Sequence, residues 1–154
     1  MSVVEIIKER RVMAKEMGFK VLEDEGERFD TVFEVAEAGV EALQFQEAIK
    51  ASLRYVDSGG KVVVFGIHFS SVTIDFLDVM KKELSINTSY LYTPPDFEKA
   101  VNLISTGKIK FDRIITRRIL LRDIEEKGFV ELETNNKEHI KILVTPFEEA
   151  LNES

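Results

Sequence analysis

The chain of 154 residues contains no cysteine and no tryptophan. Without cysteine it can form neither a disulfide framework nor a reactive thiolate, so thiol chemistry is excluded. It also has no apolar run of 18 residues and no signal-peptide pattern. These absences predict a soluble cytoplasmic protein that does not cross a membrane.

Positive charge is also scarce. Lys and Arg number 21 against 28 Asp and Glu, which gives a formal net charge of −7, and the basic residues form no long run. Nucleic acids and anionic membrane surfaces are therefore not expected as partners. A hydrophobic content of 44% is typical of a globular protein, and the length predicts one domain with a real core rather than two full domains.

The strongest local pattern is the run Lys61–Gly66, which contains three consecutive valines and follows the turn residues 58–60. A continuous apolar run between turn signals predicts a strand that is buried on both faces. Such strands lie in parallel sheets that helices cover on both sides, and ligands bind beyond their carboxyl ends. Gly66, Ile67 and His68 are therefore the first candidates for a functional site.

Strand and helix patterns alternate along the rest of the chain, which favours a doubly wound parallel α/β sheet. Strand-like segments are predicted over residues 2–5, 19–22, 29–36, 61–66, 85–92, 109–121 and 140–145. Helices are predicted over residues 7–17, 41–56, 75–84, 93–107 and 122–132. The third helix is expected to direct Phe76, Val79 and Met80 inward. Thr93 is expected to cap the fourth, with Asp96 near the positive end of its dipole.

Seven segments share a family pattern in their residue types, order and spacing. They are Glu5–Gly18, Phe29–Glu34, Gly59–Gly66, Val72–Asp75, Lys82–Leu84, Asp96–Ile109 and Lys141–Pro146. Together they resemble the C-terminal portion of a medium-chain dehydrogenase/reductase, in the family of zinc-type alcohol and polyol dehydrogenases. The resemblance implies an α/β fold: an incomplete Rossmann-like doubly wound parallel sheet over residues 1–108, with a C-terminal extension over residues 109–154.

Members of this family are more than twice as long as this chain. They begin with a barrel-like domain that carries the catalytic zinc and its ligands. The first strand and the glycine-rich turn of the nucleotide-binding domain follow. Glu5 matches the acidic residue that lies about 20 residues after that turn. The resemblance therefore implies that this chain begins at the second strand of the fold.

The absence of the first strand would have a structural consequence. In the usual order 3-2-1-4-5-6, strand 1 lies between strands 2 and 4. Without it, two inner edges keep unpaired backbone groups. Either residues 3–7 move into the vacant position, or another chain covers it, or residues 1–23 pack differently from the family. A second copy of this chain, giving a homo-oligomer, and a separately encoded N-terminal half are the expected partners.

The resemblance places seven residues at a cofactor: Glu5, Arg10, Val35, Ala36, Gly66, Ile67 and Leu91. Glu5 would bind the adenosine ribose, and its carboxylate would favour NAD over NADP by repelling a 2′-phosphate. Arg10 would lie near the adenosine, and the others would line the cofactor at the carboxyl ends of their strands. Each has a structural alternative, because Glu5 and Arg10 could be solvated charges and the others could meet the needs of tight strand ends.

A zinc site is not expected in this chain. It has only two histidines, His68 and His139, which lie far apart in the sequence. A zinc site needs three or four ligands at suitable spacing. His68 could act as an acid or base beside Gly66, and the alternative is a loop residue near a cofactor cleft.

Two functions remain open at this point. The first is part of a zinc-type NAD(P)-dependent alcohol or polyol dehydrogenase, as one half of a split or truncated enzyme. Such a chain would lack zinc ligands and a pyrophosphate loop, so it is expected to be inactive alone. The second is a non-catalytic oligomerisation or interaction module derived from a dehydrogenase. NAD is the expected cofactor only if something else completes the site.

Overall fold

The computed structural model describes residues 1–23, 26–36, 42–67, 71–109, 111, 113–135 and 137–151, with backbone alone for 42–45. Its strands are β1 (Ser2–Val3), β2 (Lys20–Val21), β3 (Phe29–Glu34), β4 (Val56–Val64), β5 (Ser85–Thr88), β6 (Ile115–Leu120) and β7 (Lys141–Thr145). Its α-helices are α1 (Lys8–Glu16), α2 (Ala42–Tyr55), α3 (Phe76–Lys81), α4 (Pro94–Ser105) and α5 (Glu131–Thr134). Two 3₁₀ segments (Leu121–Asp123, Glu149–Leu151) and a π-helix (Ile124–Val130) complete the set. No helix in these ranges has the length and apolarity that a membrane span requires.

The chain folds into two compact units. The middle unit spans residues 24–92, and the terminal unit combines residues 1–23 with residues 93–154. The division at residue 108 follows from the family resemblance and stays a prediction.

A parallel sheet in the order β3-β4-β5 is the framework of the middle unit. Val62 in β4 lies opposite Val32 on one side and Ile86 on the other, and only 1% of its surface is exposed. β4 is therefore the central, buried strand that the valine run predicts. Parallel strands joined by helices confirm the α/β, Rossmann-like class.

The core of the middle unit is a cluster of apolar side chains from α2, β4 and α3. Its members are Ile49, Leu53, Val56, Val62 and Val79. The i, i+4 spacing of the two α2 residues sets them on one face of the helix, as the sequence predicts. Burial of this face against β4 is what fixes the helix on the sheet.

α3 differs in part from its prediction. Val79 is buried, whereas Phe76 and Met80 are 64% and 63% exposed. The inward prediction is therefore wrong for two of the three residues. A helix of six residues makes fewer than two turns, so it presents one short strip to the core, and Val79 fills that strip.

The junction between α2 and β4 contains a bulge. Val56 lies opposite Phe29, but the regular ladder resumes only where Lys61 lies opposite Thr31. Between them, Gly59 has a φ of 76°, and its N–H donates to the carbonyl of Lys82 at 2.7 Å. The predicted glycine turn is thus a bulge at the start of the central strand.

Two separate pairs of parallel strands belong to the terminal unit, β1 with β2 and β6 with β7. The helical residues 121–134 connect β6 to β7. A Cβ atom on Gly128 would lie 3.2 Å from Cδ1 of Ile119, so the absence of a side chain lets this helical segment approach β6 closely. The predicted helix over residues 122–132 is present, although most of it has π geometry.

α4 begins at the predicted position. The Asp96 carboxylate accepts hydrogen bonds from the Thr93 hydroxyl at 2.6 Å and from the Thr93 N–H at 2.9 Å. The hydroxyl bond, and after it the N–H bond, lowers the pKa of Asp96 below its usual value. Phe97, Val101 and Ile104 follow at helical spacing, and all three are exposed. The predicted apolar face therefore exists without being buried.

β1 and β3 each keep a free edge. Within the described ranges, β1 pairs only with β2, and β3 pairs only with β4. β1 therefore does not take the position beside β3, and the first of the three predicted alternatives is not adopted. The gap that the family resemblance implies between these strands stays a prediction.

Candidate functional site

The candidate site lies where β3 and β4 end. Because the two strands are parallel and Glu34 lies opposite Val64, their carboxyl ends meet at one edge of the sheet. The Phe65 N–H donates to the Glu34 carbonyl at 2.8 Å and extends the ladder by one residue. A Cβ atom on Gly66 would lie 2.7 Å from the carbonyl oxygen of Ala36, so these two backbones are in close contact.

This geometry brings four of the seven predicted residues together. Val35 and Ala36 follow β3, and Gly66 and Ile67 follow β4. Val35 and Ile67 are exposed, whereas Gly66 lies against the end of β3. Whether these residues contact a cofactor stays a prediction.

A residue that the sequence reasoning missed connects the two strand ends. Glu34 is only 3% exposed. Its Oε1 atom accepts a hydrogen bond from the Ala36 N–H at 2.8 Å, and its Oε2 atom accepts one from the Gly66 N–H at 3.3 Å. A buried carboxylate needs such donors, because removing the charge from water without replacing its hydrogen bonds costs on the order of several kcal/mol. The signal in the sequence was an acidic residue as the last member of a β-rich segment.

Beside the strand ends lies an exposed aromatic pair. The ring centroids of Phe33 and Phe65 are 6.0 Å apart, with an angle of 44° between the planes. Both rings are largely exposed, as are Val35 and Ile67. These four side chains give the strand ends an exposed apolar surface.

The third strand end is that of β5. The Ser89 N–H donates to the Val64 carbonyl at 3.0 Å, which keeps residue 89 beside the end of β4. Leu91 follows two residues later, is exposed, and has a φ of 60°. A positive φ is uncommon for leucine, so the backbone there is strained. The predicted site residue thus belongs to a tight turn after the third strand.

Glu5 and Arg10 belong to the terminal unit. The Glu5 Oε1 atom accepts a hydrogen bond from the Ile7 N–H at 2.8 Å, just before α1 begins. Arg10 lies in the first turn of α1 and is half-exposed. Glu5 therefore has a local structural role, and the cofactor roles of both residues stay predictions.

His68 lies outside the described residues, whereas His139 is part of a hydrogen-bonded network in the terminal unit. Its Nδ1 atom is 3.1 Å from the Thr116 hydroxyl, and its Nε2 atom is 3.2 Å from Oε1 of Glu131. Hydrogen bonds from Asn135 and then His139, together with the charge of Arg117, lower the pKa of Glu131. The network ties the end of the helical segment to β6.

Metal-ligating side chains do not cluster among the described residues. The part of the chain that the structure describes has no group of three His, Cys, Asp or Glu side chains that could hold a metal ion. A concavity of about 390 Å³ lies instead at the ends of β6 and β7, lined by Leu120, Leu121, Arg122, Pro146 and Glu148. It contains none of the predicted residues.

Comparison with known proteins identifies relatives that are longer than this chain. A family model described as zinc-binding dehydrogenase matches residues 1–106. The (R,R)-butanediol dehydrogenase of Neisseria gonorrhoeae is 29% identical over 121 residues, which are 79% of this chain and 32% of the relative. The chain thus spans less than half the length of the relatives that it matches.

Two solved structures also match most of this chain, which again covers less than half of each of them. The crystal structure of 2R,3R-butanediol dehydrogenase from Bacillus subtilis superposes with a TM-score of 0.77 at 26% identity, over 94% of this chain and 43% of that one. A zinc-binding dehydrogenase from Sinorhizobium meliloti, bound to NADP, superposes with a TM-score of 0.72 at 27% identity, over 95% and 45%. The chain therefore has the fold of the corresponding part of these dehydrogenases.

Proposed function

Because the chain belongs to the zinc-binding dehydrogenase family, we propose that it supplies the nicotinamide-facing part of a zinc-type NAD(P)-dependent alcohol or polyol dehydrogenase. The observation that carries the proposal is the close contact between Ala36 and Gly66 at the ends of β3 and β4. In open α/β sheets, ligands bind beyond these strand ends. The names of the relatives favour a secondary alcohol of a small diol or polyol as the substrate.

The chain's own residues have a limited task in this reaction. When bound, NAD(P) would supply a hydride acceptor for the alcohol carbon, and zinc would supply a Lewis acid for the alcohol oxygen. The backbone at Ala36 and Gly66 orients the nicotinamide end, and the exposed side chains of Val35 and Ile67 exclude water from one side of it. In this proposal a complementary polypeptide supplies the zinc ligands.

We propose further that the chain is inactive alone and gains activity when a complementary polypeptide pairs with the free edge of β3. Unpaired edges are a liability that a strand from another chain removes. β3 leads into Ala36, so a strand added at the free edge of β3 would lie next to the proposed cofactor site.

The test is reconstitution. The purified chain is assayed with butane-2,3-diol and with polyols, using NAD or NADP, first alone and then with the N-terminal portion of a related butanediol dehydrogenase that carries the zinc ligands and the glycine-rich turn. We expect no turnover from either polypeptide and measurable turnover from the mixture. Oxidation of any of these alcohols by the chain alone would refute its inactivity.

The affinities for NAD and for NADP show which cofactor the protein prefers. A carboxylate at Glu5 would repel the 2′-phosphate of NADP, so we expect NAD to bind more tightly than NADP. Glu5→Gln should narrow the difference between the two affinities. If the unchanged protein binds both cofactors with equal affinity, Glu5 has no role in the cofactor site.

The exposed apolar side chains of α4 support a second candidate function. Phe97, Val101 and Ile104 form an exposed apolar face, and such faces are typical of contact surfaces. On this view the chain is a non-catalytic module that associates with a second copy of itself. Sedimentation equilibrium decides: a dimer that Val101→Glu dissociates supports the view, and a monomer at all concentrations excludes it.

A further inference from the structure

Glu34 is the connection between the two strand ends. It is the last residue of β3, and its side chain is buried although it can carry a charge. Both of its carboxylate oxygens accept backbone hydrogen bonds, one from the Ala36 N–H on its own strand and one from the Gly66 N–H across the sheet. A single side chain thus fixes the first residues beyond two neighbouring strands.

Gly66 is matched to this carboxylate. A Cβ atom at residue 66 would lie 2.7 Å from Oε2 and 3.1 Å from Oε1 of Glu34, and 2.7 Å from the Ala36 carbonyl oxygen. No side chain fits at such distances without moving the carboxylate or the backbone. The absence of a side chain at Gly66 and the burial of Glu34 are therefore parts of one arrangement.

We propose that Glu34 is a positioning residue for the cofactor-facing strand ends. It acts through Ala36 and Gly66, because hydrogen bonds to its carboxylate hold their N–H groups inward and thereby fix the direction in which Val35 and Ile67 leave the sheet. The inference rests on the proposed function, since the surface that Glu34 orders is the one at which the nicotinamide end is proposed to bind.

Two variants and one control separate this role from general stabilisation. Glu34→Gln keeps the size of the side chain but replaces one acceptor oxygen with an NH₂ group that cannot accept a hydrogen bond. Glu34→Ala removes both acceptors. Ser52→Ala is the matched control, because Ser52 is also buried and polar in the middle unit, but its hydroxyl donates to Ala48 within α2 at 3.0 Å.

The experiment uses the full chain and two measurements. The first is amide hydrogen exchange by NMR at Ala36 and Gly66, with Val62 and Val63 in the central strand as internal references. The second is the dissociation constant for NAD, titrated on mixtures of each chain, shown to be folded by circular dichroism, with the N-terminal portion of a related butanediol dehydrogenase. For Glu34→Gln, which loses one of the two acceptor oxygens, we expect exchange at one of the two strand-end amides to rise about tenfold and NAD to bind about tenfold more weakly, the effect of losing one hydrogen bond to a charged group. For Glu34→Ala we expect exchange to rise at both amides. Ser52→Ala should change neither.

The outcomes are distinguishable. Unchanged exchange at Ala36 and Gly66 in both Glu34 variants overturns the inference, and so does faster exchange without any loss of NAD affinity. If the mixture that contains the unchanged chain binds no NAD, the proposed function fails, and the exchange measurement alone decides whether Glu34 holds the strand ends. If Ser52→Ala changes amide exchange and NAD affinity as much as the Glu34 variants do, Glu34 only stabilises the fold.

Discussion

The side chain of Lys82 donates a hydrogen bond from Nζ to the carbonyl oxygen of Leu53, with 2.9 Å between the two atoms. Leu53 lies in the last turn of α2, where carbonyl groups have no partner within the helix. A cation there also opposes the negative end of the helix dipole. Lys82, which directly follows α3, therefore caps the C-terminal end of α2.

Loss of this contact should lower stability. We expect Lys82→Ala to reduce the free energy of unfolding by about 1 kcal/mol, the net value of one hydrogen bond. Lys81→Ala removes a neighbouring exposed lysine and is the matched control. Urea unfolding followed by circular dichroism measures both. An equal loss in the two variants would mean that the contact to Leu53 contributes nothing.

The centre of the sheet should be far more sensitive than the apolar face of α4. Val62→Ala deletes two buried methyl groups and should cost about 2 kcal/mol, including the cavity that remains. Val101→Ala makes the same chemical change at an exposed position and should stay within about 0.5 kcal/mol of the unchanged chain. The two values come from the same unfolding experiment. If Val101→Ala costs as much as Val62→Ala, α4 is covered in solution.

The two glycines of the β4 bulge should respond differently to alanine. A Cβ at Gly60 would lie 2.7 Å from Cγ2 of Val56 and less than 3 Å from two backbone oxygens, so the backbone must move. At Gly59 the space is open, and only the positive φ opposes a side chain. We expect Gly59→Ala to cost about 1 kcal/mol and Gly60→Ala about 2 kcal/mol or more. A reversed order would disprove the bulge geometry.

The Glu131 network predicts a pH dependence. Because the folded state lowers the pKa of Glu131 below the ordinary 4.5, its contribution to stability is fully present above the pKa of the unfolded chain. That contribution is lost as the pH falls through the folded pKa. Arg117, Asn135 and His139 face this carboxylate and supply the effect.

Comparison of the unchanged chain with Glu131→Gln across acidic pH provides the measurement. The stability difference between the two proteins should be constant above pH 4.5 and should shrink as the pH falls below that value. Glu133→Gln, at an exposed position of the same helix, is the control and should show no such trend. A difference that grows on acidification would contradict the assigned sign.

Patterns that depend on local chemistry were predictable. The valine run of β4 and the Thr93–Asp96 cap of α4 need only periodicity and side-chain hydrogen bonding, and both are present. The exposure of Phe76 and Met80 was not predictable, because it depends on how much of α3 the sheet covers. Glu34 was missed for a related reason. Its donors lie 2 and 32 residues away, and only the parallel register of β3 and β4 brings the second one near.

The sequence separation of contacting residues also predicts the order in which the two units fold. In the middle unit, paired residues such as Val32 and Val62 are 30 positions apart, whereas the ion pair of Glu16 and Arg113 in the terminal unit joins residues 97 apart. Closing the longer loop costs about 1 kcal/mol more entropy. The middle unit should therefore form first during synthesis, with its strand ends ordered before the last 60 or so residues have left the ribosome.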